Sequence, residues 1–77
     1  MDATEIRAIV AAVLAEIAPE VDLATIADDE DLRDALDLDS MDFMNFVVGL
    51  HQKIGRDIPQ ADVPRLHTLA GVLRYLG

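Results

Sequence analysis

Asp37-Leu38-Asp39-Ser40-Met41-Asp42, running directly into Phe43-Met44-Asn45-Phe46-Val47-Val48-Gly49-Leu50-His51-Gln52-Lys53-Ile54, decides how this chain folds. Phe43, Phe46, Val47, Leu50 and Ile54 recur at three- and four-residue intervals, the period of one face of an α-helix. Ser40 stands at the head of that pattern. Serine is among the best N-cap residues, because its oxygen accepts an N–H that the helix leaves unpaired. Asp42 falls in the first turn, where negative charge complements the helix dipole. Gly55, just past Ile54, is a natural stop. The spacing predicts a helix from Ser40 to about Ile54, capped by Ser40. Gly49 inside it costs about 1 kcal/mol relative to alanine and suits close contact with a second helix.

Upstream, residues 19–39 make a long connection, and a structureless stretch of that length is unusual in a compact domain. It carries Val21, Leu23, Ile26, Leu32, Leu36 and Leu38, which can fasten it across the helix ends. A short helical turn is expected over Asp31 to Leu36, and the acids Asp28 to Asp31 are expected to stay in water. Earlier still, Asp2 and Glu5 have capping-box spacing. Ile6, Ile9, Val10, Val13, Leu14 and Ile17 then line one face of a first helix. Pro19 ends it, because the residue before proline is pushed out of the helical region.

Downstream, Arg56-Asp57-Ile58-Pro59 reads as an extended turn. Residues 60–66 read as a brief third helix, kept short or 3₁₀ in character by Pro64. Thr68 caps a last helix that buries Leu69, Val72, Leu73 and Leu76 and stops at Gly77. The expected fold class is all-α, a small bundle of three main helices plus one short helix. One domain over residues 1–77 is the expectation for this length.

A domain of 77 residues buries only about 60% of its unfolded surface, so modest stability is expected. The hydrophobic fraction of 52% suffices for a core. The absence of cysteine excludes disulfides, Cys/His zinc sites and dithiol redox chemistry, and fits a reducing cytoplasm. No apolar run is long enough to span a membrane. The start Met1-Asp2-Ala3-Thr4-Glu5 lacks the basic n-region of a signal peptide, and with the small size it suggests a free-standing protein.

Net charge is −9 and very uneven. Residues 1–39 hold twelve acids against two arginines. Residues 40–77 hold three acids against Lys53, Arg56, Arg65 and Arg74. Such a chain should repel nucleic acid and anionic membranes and favour basic partner surfaces. For most of residues 20–34, solubility alone explains the acids as well as a docking role does. A monomer is expected.

On the helix headed by Ser40, Met41, Met44 and Val48 lie at i, i+3 and i+7 beside the core stripe, among Asn45, His51 and Gln52. They read as a soft, exposed docking ridge, since methionine suits adaptable interfaces. The other reading is a helix buried on two sides. Metal and catalytic readings are weaker. An EF-hand loop started at Asp29 has Arg33 at its fifth position, and one started at Asp37 has Met41 there. Weak surface binding of divalent cations by Asp28 to Asp31 stays open. His51 and His67 are far apart and read as surface or boundary residues, and Tyr75 as helix-end packing. No Ser-His-Asp or Cys-His constellation and no glycine-rich phosphate loop is evident, so a non-catalytic protein is expected.

Asp37-Leu38-Asp39-Ser40-Met41-Asp42, with the helix that follows, resembles the attachment motif of acyl carrier proteins. Ile58-Pro59 and the short element before Thr68-Leu69 match that family's second half, so the resemblance covers essentially the whole chain. It implies that a phosphopantetheinyl transferase moves 4′-phosphopantetheine from coenzyme A onto the Ser40 hydroxyl. The thiol of that arm would hold cargo as a thioester, which fits a chain without cysteine. Asp39 resembles the family acid that supports modification by helping to place Mg²⁺, needed only at that step. A phosphodiester at a helix start sits where anions are favoured.

The sequence also departs from the family pattern. Asp37 stands where the family usually has glycine. Asp42 is the one acid on a recognition helix that commonly carries several glutamates. The resemblance therefore implies a specialised carrier of lipid, polyketide or related acyl intermediates. Its partners would be an acyl or aminoacyl ligase and downstream transferases, reading Met41, Asp42, Met44, Asn45 and Val48. An aminoacyl or peptidyl carrier is the nearest alternative. An unmodified helical interaction domain, with Ser40 only a cap, is the alternative from another class.

Overall fold

The computed structural model describes residues 1–77. Its helices are α1 (Ala3–Ile17), α2 (Leu32–Ala35), α3 (Ser40–Ile54) and α4 (Leu69–Leu76). Two 3₁₀ segments, Leu23–Thr25 and Gln60–Leu66, fill the connections. The protein is all-α and has no strand, only a lone bridge between Asp31 and Thr68.

The three long helices start with one device. Asp2 accepts the Glu5 N–H at 2.8 Å, Asp39 accepts the Asp42 N–H at 2.8 Å, and the Thr68 hydroxyl accepts the Gly71 N–H at 3.0 Å. Each bond satisfies a donor of the first turn that has no partner inside the helix. The expected cap of α3 is corrected by one residue. Asp39, with extended φ −83° and ψ 179°, is the N-cap, and Ser40 is the first helical residue. Two good capping side chains stand side by side here, and the charged carboxylate is the stronger acceptor. At its far end α3 stops as expected, with Gly55 left-handed (φ 70°) and its N–H bonded to the His51 carbonyl at 3.0 Å.

The core joins Ile6, Val10, Val13 and Leu14 of α1 to Phe43, Phe46, Val47 and Leu50 of α3. Leu69, Val72 and Leu76 of α4 close it. Leu73, expected inside, is only half-buried. Gly49 lets α1 and α3 meet closely, since a Cβ there would lie 2.6 Å from Val13 Cγ1.

The long α1–α3 connection is pinned by Leu32, fully buried, with Val21, Leu23, Ile26, Leu36 and Leu38 half-buried around it. Backbone bonds stitch it to the start of α4: Leu32 N–H to the His67 carbonyl at 2.7 Å, and Ala70 N–H to the Asp28 carbonyl at 2.8 Å. Arg7 of α1 grips the Asp28 carboxylate with both terminal nitrogens, at 3.3 and 2.9 Å. Asp28, Asp29 and Glu30 are exposed, as expected. Asp31 is not simply in water. It is half-buried, caps α2, and binds Arg33 through Nε at 3.1 Å and Nη2 at 2.8 Å. Those bonds hold its carboxyl well below its ordinary value, at about 2.

Asp37 is the one non-glycine residue with positive φ, at 54°. The Leu38 N–H reaches back to the Arg33 carbonyl at 2.9 Å. This is a Schellman-type end to α2, with Asp37 at the left-handed position that glycine usually fills. It turns the chain sharply, two residues before the α3 cap, and so sets how Ser40 is presented.

Candidate functional site: the head and outer face of α3

Ser40 is exposed, at the positive end of a fifteen-residue helix. Because Asp39 does the capping, the Ser40 hydroxyl is not spent on the backbone. Had Ser40 been the cap, its oxygen would have been turned inward to accept the Phe43 N–H, which instead bonds the Asp39 carbonyl at 3.0 Å. The backbone N–H groups of Ser40 and Met41 are first-turn donors with no intrahelical acceptor. An exposed hydroxyl beside free donors at a dipole-favoured end suits a covalently held phosphodiester.

The local electrostatics are mixed. Asp39 is exposed and Asp42 half-buried, and both place negative charge near Ser40. Asp39 uses Oδ1 for the cap. Its Oδ2 stays open, and a carboxylate oxygen of this kind is a suitable ligand for a hard cation. No group of three or more His, Cys, Asp or Glu side chains is arranged to hold a metal ion by itself.

The second apolar stripe of α3 faces outward. Met41 is 73% exposed, Met44 46% and Val48 47%, and with Met1 they are the exposed large hydrophobic residues of the chain. Asn45, on the same side, is exposed as well. The reading of a helix buried on two sides is thereby set aside. Met44 and Val48 also form one wall of a groove of ≈ 600 Å³. Its other wall is Ile58, Pro59 and Val63, from the turn after α3 and the 3₁₀ segment. No periodic pattern in the sequence marks that second wall. Its apolar residues are spaced too irregularly to announce a face, although Ile58-Pro59 carried part of the resemblance.

The histidines occupy boundary positions. His51 Nδ1 donates to the Arg56 carbonyl at 2.8 Å, and His67 sets its ring edge-on to Phe43 with centroids 5.1 Å apart. They do not come together at a site.

Residues 4–76 match the protein family described as the phosphopantetheine attachment site. That span takes in α1 nearly from its start, the Asp39-Ser40 turn, the α3 ridge and α4. The chain belongs to this family, that of the acyl carrier proteins. A curated relative, an acyl carrier protein of Lactobacillus johnsonii, is 32% identical over 56 residues, covering 73% of this chain and 70% of that protein. Membership implies covalent attachment of phosphopantetheine and dealings with a phosphopantetheinyl transferase and acyl-processing enzymes. No helix is long and apolar enough to cross a membrane.

Proposed function

We propose that residues 1–77 form a single carrier domain that bears 4′-phosphopantetheine on Ser40 and presents acyl intermediates to successive enzymes. When bound, the arm supplies a thiol on which cargo travels as a thioester. The observation that carries this reading is the placement of Ser40, exposed and first in α3, with its hydroxyl left free by the Asp39 cap. The chain's own residues do the rest. Asp39 fixes the helix start and offers its open oxygen toward Mg²⁺ during modification. Asp42 favours the helix end through the dipole. Met41, Met44, Asn45 and Val48 give partners a soft face that is poor in charge.

That face sets the kind of partner. Asp42 is the one acid along α3, so an enzyme that grips through a dense basic patch finds few counter-charges there. An apolar contact surface fits better, with the acids of residues 1–39 contributing mainly to steering. This favours a specialised lipid, polyketide or related pathway, with an aminoacyl carrier the second reading. The domain acts as a non-catalytic cytoplasmic monomer that binds neither nucleic acid nor membrane.

The cargo is tested by offering the holo protein to fatty-acyl, polyketide and aminoacyl loading enzymes in parallel. Loading of wild type and none of Ser40→Ala is expected. Loading of the alanine variant, or of neither protein by any enzyme, would contradict the proposal.

A further inference from the structure

Three of the six Lys and Arg residues of this acidic chain gather around Tyr75, near the end of α4. The 3₁₀ segment brings Arg65, the end of α4 brings Arg74, and the turn after α3 brings Arg56. All three meet around Tyr75. Arg65, Gly71, Arg74 and Tyr75 line a pocket of ≈ 310 Å³. Arg56 lays its guanidinium 5.5 Å from the Tyr75 ring centre and donates to the Tyr75 carbonyl at 3.3 Å.

None of these three arginines forms a salt bridge, whereas Arg7, Arg33 and Lys53 each lie against a carboxylate. One acid reaches the cluster. Asp62 accepts the Tyr75 hydroxyl at 2.7 Å, which both ties the carboxylate down and raises the tyrosine pKa. Asp57 points elsewhere, toward His51 at 3.7 Å. The fifteen residues of α3, at about 1.5 Å each, put Arg56 roughly 20 Å from Ser40.

We propose that the Arg56–Arg65–Arg74 cluster around Tyr75 is a second docking site, and that it takes an acidic segment of a partner protein. Charge complementarity selects that occupant. A nucleic acid or anionic bilayer extends well beyond the patch and meets the −9 charge of the whole chain. A short carboxylate-rich segment engages the three guanidinia alone, within the ~8 Å over which charge is felt at physiological salt. Arginine suits the task, because its planar fork pairs with carboxylates through two parallel bonds.

Tyr75 is the one tyrosine of a chain without tryptophan, so intrinsic fluorescence reports directly on this site. The holo protein is titrated with a glutamate-rich peptide free of aromatic residues, at low salt. A saturable change is expected. Arg65→Gln/Arg74→Gln should weaken it about fivefold, the effect of removing two exposed charges. Lys53→Gln should leave it unchanged, and physiological salt should weaken wild-type binding. Circular dichroism verifies that the double variant keeps its helices. No saturable response, or equal affinity in the double variant, overturns the proposal. A stronger response to inorganic phosphate or to an oligonucleotide also overturns it, in favour of a phosphate ligand. A dimer in sedimentation that the double variant abolishes overturns it in favour of a second copy of the chain.

Discussion

Asp39 has an observed role and a proposed one that substitution can separate. Its Oδ1 caps α3 through the Asp42 N–H, and its charge is the part proposed to assist modification. Asn caps a helix about as well as Asp, while Ala costs about 1 kcal/mol at such a site. Asp39→Asn should therefore keep the wild-type melting temperature yet slow transfer of the arm onto Ser40. Asp39→Ala should do both kinds of damage. Thermal melts beside a time course of modification distinguish them, and an unchanged rate in Asp39→Asn would leave Asp39 as a cap alone. Asp37 poses the opposite problem, because its side chain sits on a left-handed backbone with φ 54°. Asp tolerates that region better than most residues, but glycine occupies it without a steric penalty. Asp37→Gly should stabilise the protein by about 0.5–1 kcal/mol, read by urea unfolding. A loss of stability would mean that the Asp37 side chain has a partner of its own.

At the scale of elements, the outer stripe of α3 is where the proposed docking role and stability part company. Met44 and Val48 are about half exposed, so trimming them touches little of the core. Met44→Ala/Val48→Ala should shift stability by no more than about 0.5 kcal/mol. Loading by the cognate enzyme should fall about tenfold in kcat/KM, as expected for losing apolar anchors from an interface centre. Unimpaired loading would move the docking face elsewhere. The long helices themselves are legible in the sequence because stripe and cap agree at each one. Asp2, Thr68, Pro19 and Gly55 mark ends that the structure places within a residue or so. The cap of α3 was ambiguous for a local reason: Asp39 and Ser40 both suit the position, and the apolar stripe does not choose between neighbours. The 3₁₀ turn at Leu23–Thr25 was not visible either, since three residues are too few to establish a period. The apolar content of that loop did reveal that it would be fastened, and Leu32 is its pin.

Across the whole molecule, charge is the uncompensated quantity. Fifteen acids face six Lys and Arg residues, and the ion pairs formed by Arg7, Arg33 and Lys53 lie at a surface where each contributes little. Self-repulsion within residues 1–39 should loosen the compact state, and screening should relieve it. Added salt or Mg²⁺ should raise the melting temperature in a thermal scan. A flat or falling trend would mean that the acids are better paired than the geometry suggests. The charge imbalance was legible from composition, but the gathering of Arg56, Arg65 and Arg74 around Tyr75 was not. That cluster arises from contacts such as Tyr75 with Asp62 and Arg56 with Tyr75, thirteen and nineteen residues apart, which no local pattern encodes. The pieces of the proposed Ser40 site are adjacent in the chain and so could be read locally, and what the fold adds is an exposed hydroxyl left free by the Asp39 cap. The most direct measurement is the intact mass of wild type and Ser40→Ala after incubation with coenzyme A, Mg²⁺ and a phosphopantetheinyl transferase. Wild type should gain the mass of one phosphopantetheinyl group while the alanine variant stays unchanged. A wild type that gains nothing, or a variant that gains the same group, would contradict the assignment.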